Sequence, residues 1–341
     1  MSTLLSSWYR SVETVPANYV FSEDKRPGGD IAAPVCKDIP VIDLSRVDGI
    51  DRHEIIQKIM VANQDSGMFQ VINHGVSEEL VDETMNLFKE FFNMPTEDKA
   101  IYYSEDGSKA FRLCTSSLNY RKDGINTWKD SVKHDCRPLE DNIQSWPERP
   151  ARYREVVGAY SVEVRKLSLR ILDLICEGLG IELGYFGDEL SKLQDFVVHH
   201  YPPCPEPGLV LGVGSHTDAS LLTLLRQNIY GLQIFKDGQW LGVEPIPYAF
   251  VINISDQLEV ISNGKLKSAR HRVVTNDSVS RISLVTFISP SLESIIEPEK
   301  ALVSASELRL FKSFRYKEYR AIYMANLREG KGTPTLEAYK L

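Results

Sequence analysis

The 341-residue chain has seven histidines, and one of them stands where it can share an ion with a nearby carboxylate. His216-Thr217-Asp218 follows the Gly-rich stretch Leu211-Gly212-Val213-Gly214-Ser215 and precedes a predicted strand. In extended chain, residues i and i+2 point to the same side, so His216 and Asp218 can grip one point together. His271, on a later predicted strand, offers a third donor. Two imidazoles and one carboxylate leave positions on a metal open, and this is the donor set of non-haem Fe(II) oxygenases. Arg281 and Ser283 follow on the next predicted strand. A guanidinium binds a carboxylate through two parallel hydrogen bonds. A metal beside such a pair suits an α-keto diacid, chelated at one end and held by Arg281 at the other.

Two halves of the chain must position these groups. Residues 50–190 read as mostly helical. Asp51 with Glu54 resembles a capping box, and Ile55, Ile56, Ile59 and Met60 give the helix an apolar face. A second helix is expected over 78–93. A long one follows Pro150, with Val157, Tyr160, Val164, Leu167, Ile171 and Leu174 on one stripe, and ends at Gly178 or Gly180. From about 193 to 290, short apolar runs alternate with turn residues. Asp237-Gly238 marks a hairpin. Closely spaced strands without helices between them predict an antiparallel barrel or jelly roll. The tail, with Tyr316, Tyr319 and Tyr323, reads as helical. Residues 24–38, rich in Pro, Gly and charge, read as a loose linker.

Composition limits the function. Hydrophobic residues make up 43% and charged residues 25%, the balance of a globular protein rather than a disordered, collagenous or coiled-coil one. No apolar run approaches the ~20 residues of a membrane helix. The net charge of −8 argues against nucleic acid and against an anionic membrane surface as partners. Five irregularly spaced cysteines without a CxxC form neither a disulfide framework nor a zinc cluster. With no signal-peptide pattern at the N-terminus, a cytoplasmic location is expected.

His216-Thr217-Asp218, His271-Arg272 and Arg281-Ile282-Ser283 together resemble the HxD…H…RxS pattern of the plant iron(II)/2-oxoglutarate-dependent dioxygenases. Tyr201-Pro202-Pro203-Cys204-Pro205 resembles the family's YPPCP stretch. Gly231-Leu232-Gln233-Ile234 and Asp256-Gln257-Leu258 fit it too. In the N-terminal half, Ile39 to Leu44, Gly67 to Gly75 and Phe91 to Pro95 match its helical cap. Cap segments such as Trp128-Lys129-Asp130 and Ser145-Trp146-Pro147 are most similar to hyoscyamine 6-dioxygenase-like members, with salicylate hydroxylase-like members a more distant comparison.

The resemblance implies an α+β fold with a mostly β core: a double-stranded β-helix (jelly roll) over 191–300. A helical cap region over 1–190 and a helical tail over 301–341 would flank it. It implies Fe(II) on His216, Asp218 and His271. The co-substrate 2-oxoglutarate would be held by Arg281 and Ser283 with Tyr201, O₂ would be the oxidant, and ascorbate an auxiliary reductant. The family has Asn two residues before the YPPCP tyrosine, where this chain has His199. A neutral imidazole there can replace the Asn hydrogen bond. Phe287 resembles a position that faces the substrate, and Leu118, Tyr120 and Tyr323 are candidate pocket walls. The implied reaction oxidises a C–H bond of a small plant specialised metabolite such as an alkaloid. Alternatives are a phenolic, salicylate or flavonoid hydroxylase, or a catalytically silent member that binds a small ligand.

Overall fold

Period-two alternation decides what each central strand presents to either side. On the strand Arg281–Ser289, the side chains of Ile282, Leu284 and Ile288 join one apolar cluster, while Val285 and Phe287 join another on the opposite face. On Leu193–Tyr201, Phe196 and Val198 enter the first cluster and Tyr201 the second. The first cluster lies between the sheet and the helices, and the second between two sheets.

The structure is a computed structural model that describes residues 4–116, 120–122, 124–329 and 335–341. Its central strands are β1 (Val41–Asp43), β2 (Met68–Ile72), β3 (Phe111–Thr115), β4 (Asp130–Asp135), β5 (Leu193–Tyr201) and β6 (Val213–His216). They continue with β7 (Leu222–Gln227), β8 (Leu232–Lys236), β9 (Gln239–Gly242), β10 (Phe250–Ile254), β11 (His271–Val273) and β12 (Arg281–Ser289). The larger sheet runs β1-β2-β10-β7-β12-β5-β4-β3 and the smaller one β6-β11-β8-β9. Every neighbour pair is antiparallel except β1–β2. This pair of facing sheets is the expected jelly roll. Its larger sheet is extended by β1–β4, from the half of the chain whose pattern reads as mostly helical.

Helices flank the two sheets, and several of them pack on the larger one. They are α1 (Arg52–Asp65), α2 (Glu78–Asn93), α3 (Thr96–Ala100), α4 (Leu139–Asn142), α5 (Tyr153–Leu179), α6 (Asp256–Ile261) and α7 (Tyr316–Glu329). Helix α5 stops where Gly180 adopts φ +70°, a left-handed conformation that glycine takes without strain. Asp237 and Gly238 both have positive φ in the β8–β9 turn, as the hairpin reading requires. The capping-box reading is corrected: Asp51 makes no side-chain cap and instead pairs with Arg46 at 3.0 Å. The linker reading is corrected too. Residues in 24–38 dock on the smaller sheet, where Gly242 N donates to Pro34 O, Cys36 N to Gly242 O and Gln233 Nε2 to Asp30 O.

The N-terminal segment is strapped to β4. Backbone N–H groups of Leu5 and Ser6 donate to the two carboxylate oxygens of fully buried Asp130 at 2.9 and 2.7 Å. Trp8, Tyr19 and Trp128 pack edge to face beside them, with centroids 5.3–5.7 Å apart. All five cysteines are free and buried. No helix among the described residues is long and apolar enough to cross a membrane.

Candidate metal centre

The smaller sheet brings the three metal-ligand candidates together. β6 and β11 pair antiparallel with His216 directly opposite His271, and Asp218 follows β6 by two residues. One donor atom from each lies within 4.8 Å of the other two. Asp218 Oδ1 is 3.4 Å from His216 Nε2 and 3.7 Å from His271 Nε2. The other ring nitrogens face backbone carbonyls: His216 Nδ1 is 2.9 Å from Gly214 O, and His271 Nδ1 is 2.8 Å from Ala269 O. Those carbonyls can only accept, so Nδ1 carries the proton and Nε2 presents its lone pair toward Asp218. Burial works to raise the Asp218 carboxyl, but the His271 and His216 rings outweigh it and hold the group below the usual range. Burial, with His216 beside it, lowers His271 to about 4. His271 is therefore a neutral imidazole beside the Asp218 carboxylate, the forms in which these groups ligate a cation.

The larger sheet faces this cluster with a second set of groups. The β12–β5 register puts Arg281 opposite Tyr201 and Ser283 opposite His199. Arg281 is 1% exposed. Its Nε donates to Ile229 O at 3.2 Å and its Nη2 to Gln227 Oε1 at 2.9 Å, and the guanidinium lies 4.9 Å over the Tyr201 ring. Its Nη1 is buried without a hydrogen-bond partner among the described residues, and so is Ser283 Oγ. These two donors, two residues apart on one strand face and both beside Tyr201, make no hydrogen bond of full geometry among the described residues. A carboxylate supplies what they lack, so these residues fit 2-oxoglutarate as His216, Asp218 and His271 fit iron. Two glycines make room: a Cβ on Gly231 would sit 2.8 Å from Arg281 Cδ, and one on Gly212 would sit 2.6 Å from the Tyr201 ring.

His199 Nδ1 is 2.7 Å from Ser131 Oγ on β4. Burial, reinforced by Lys129, Arg281 and His216, keeps its imidazole neutral. Phe287 is half-buried on the same face as Arg281 and Ser283, opposite Asp195 and Thr223. The Tyr323 hydroxyl donates to Thr217 O at 2.7 Å, which puts that side chain against the His-x-Asp arm. Tyr120 lies elsewhere: its hydroxyl accepts from Asn18 Nδ2 at 2.8 Å and it lines a cleft of about 510 Å³ with Trp8 and Tyr19. Leu118 lies outside the described residues. The remaining histidines are apart from the centre. His53 is exposed, His74 Nε2 is 2.9 Å from Tyr248 O, buried His134 bridges Phe196 O and the Tyr153 hydroxyl, and His200 stacks on the Phe92 ring at 4.8 Å.

Spacing alone did not single out Lys129, just before β4. It is 3% exposed, and its ammonium makes no hydrogen bond or ion pair among the described residues. Burial, eased by Cys114 and reinforced by Arg281, brings it down to about 7. The one signal in the sequence is strand alternation, which places Lys129, Ser131 and Lys133 on one face of β4.

A jelly roll that gathers two imidazoles and a carboxylate opposite an unpaired Arg-Ser pair has the architecture of a non-haem iron oxygenase. Comparison with known families agrees. The 2OG-Fe(II) oxygenase superfamily matches residues 193–290, and the N-terminal region described as "non-haem dioxygenase in morphine synthesis" matches 39–152. The chain is 43% identical to hyoscyamine 6-dioxygenase of Hyoscyamus niger, covering 96% of each. It is 42% identical to the protein DOWNY MILDEW RESISTANCE 6 of Arabidopsis thaliana, covering 93% of each. The crystal structure of JOX2 in complex with 2OG, Fe and JA superposes with a TM-score of 0.85 at 29% identity, covering 100% of this chain and 98% of that one. The chain belongs to the 2OG-Fe(II) oxygenase superfamily. It is an oxidoreductase that depends on Fe(II) and 2-oxoglutarate.

Proposed function

We propose that the protein hydroxylates, or otherwise oxidises at a C–H bond, a small plant specialised metabolite such as an alkaloid, with release of succinate and CO₂. The observation that carries this reading is the pairing of the His216–Asp218–His271 cluster with the orphan donors of Arg281 and Ser283. His216 and His271 through Nε2, and Asp218 through a carboxylate oxygen, would hold Fe(II). When bound, the metal and its co-substrate supply the oxidising chemistry by activating O₂. The chain's own residues bind, orient and shield. Arg281 Nη1 and Ser283 Oγ take the far carboxylate of 2-oxoglutarate, and Tyr201 lies under the guanidinium. His199, neutral and fixed by Ser131, borders the co-substrate without adding charge. Phe287 and Tyr323 offer aromatic wall on the substrate side. Similarity to hyoscyamine 6-dioxygenase supports an alkaloid. Lys129 favours a second reading, an acid-bearing substrate such as a phenolic acid, because its buried amine has no anionic partner among the described residues. Succinate release on a panel of alkaloids, phenolic acids and flavonoids, with product masses, separates the two. Succinate formation that survives His216→Ala would refute the metal assignment.

A further inference from the structure

β6 ends at His216, so Asp218 sits on an arm with no strand pairing of its own. The arm is held instead by α6 and α7. Asp256 N donates to Asp218 O at 2.9 Å. The Asp256 side chain is fully buried, and its Oδ2 accepts from Thr217 Oγ1 at 3.2 Å and from the Tyr319 hydroxyl at 2.5 Å. The Tyr323 hydroxyl, one helical turn on, donates to Thr217 O at 2.7 Å. Thr217 lies between two metal-ligand candidates, so its carbonyl and hydroxyl are both tied, directly or through Asp256, to tyrosines of the C-terminal helix.

We infer that Asp256, Tyr319 and Tyr323 are positioning residues for the metal. They form a latch through which α7 sets the angle of the Asp218 arm, and the C-terminal helix is thereby part of the iron site. This rests on the assignment of His216, Asp218 and His271 as ligands. Partners one step behind a metal ligand typically carry 10–100-fold in metal affinity. Arg281 and Ser283 stand on β12, outside this network, so co-substrate affinity at saturating metal is not carried by it.

The test is titration of the metal-free full chain with Co(II), and anaerobically with Fe(II), alongside thermal melting. Tyr319→Phe, Tyr323→Phe and Asp256→Asn are each expected to raise the metal dissociation constant by about 10-fold or more. The dissociation constant for 2-oxoglutarate at saturating metal stays unchanged. Tyr339→Phe is the packing control: its ring lies 5.3 Å from that of Tyr319, and its hydroxyl takes no part in the latch. It is expected to keep wild-type metal affinity. Wild-type affinity in both Tyr319→Phe and Tyr323→Phe overturns the latch even if Asp256→Asn fails to fold. So does an equal loss in Tyr339→Phe, which would make the effect one of helix packing. Separately, His271→Ala that binds Co(II) as tightly as wild type overturns the ligand assignment itself.

Discussion

Replacing Arg281 by Met separates what this side chain does for the fold from what it does for the co-substrate. In the ligand-free protein, the guanidinium is a buried cation with two hydrogen bonds, to Ile229 O and Gln227 Oε1, and one arm without a partner. Losing two bonds from a charged donor costs about 1.5–3 kcal/mol each. Removing a buried ion returns several kcal/mol of desolvation. The two nearly cancel, and the ligand-free variant is expected to melt close to wild type. The co-substrate loses far more. A carboxylate bridging Arg281 Nη1 and Ser283 Oγ keeps the serine bond in this variant and loses the charge-assisted arginine bond of about 1.5–3 kcal/mol, or about 10–10² in Kd. Calorimetric titration of 2-oxoglutarate in the absence of O₂, with Mn(II) in place of iron, reads this directly. An unchanged Kd in a folded variant would refute the carboxylate assignment. A large fall in melting temperature would refute the cancellation.

Ser283→Ala removes a buried hydroxyl that has no partner in the free protein, so stability holds while the KM for 2-oxoglutarate rises by about 10-fold, near 1.4 kcal/mol; steady-state kinetics with a melting curve check both. His199→Asn is expected to keep or raise succinate release, since a neutral side chain is exchanged for another and the bond at stake is the one to Ser131 Oγ; complete loss in a folded variant contradicts it. Lys129 concerns pH. Its folded value of about 7 lies below the unfolded value near 10.4, so the unfolded chain binds more protons between them and this group's contribution to stability grows as pH rises. Relative to Lys129→Met, wild type should gain roughly 2 kcal/mol between pH 7 and 9 in urea unfolding, and parallel curves would contradict this.

The metal cluster was legible because its chemistry is local on each strand. His216 and Asp218 need only extended chain between them, and Arg281 with Ser283 likewise. The long helix α5 was legible from its stripe. β2 and β3 were not, because every residue of β3 and all but the last of β2 are buried, which erases the alternation that marks a half-exposed strand. The Asp51 cap failed for a competitive reason, since Arg46 holds the carboxylate that a cap would have used. The Tyr319–Asp256 bond joins residues 63 positions apart, and no local spacing announces it. An unpaired lysine such as Lys129 reads in sequence like any solvated one until its burial is known.

The strap at the N-terminus couples the first residues of the chain to the chemistry. Asp130 faces the strap, while its neighbours Lys129 and Ser131 face the other way, toward His199 and Arg281. Trimming the first six residues would leave a buried carboxylate with no amide to receive, and the strand would have to shift to hydrate it. That shift would carry Ser131 and His199 with it. Displacing the Leu5–Ser6 strap is therefore expected to alter turnover without touching any residue that meets a ligand.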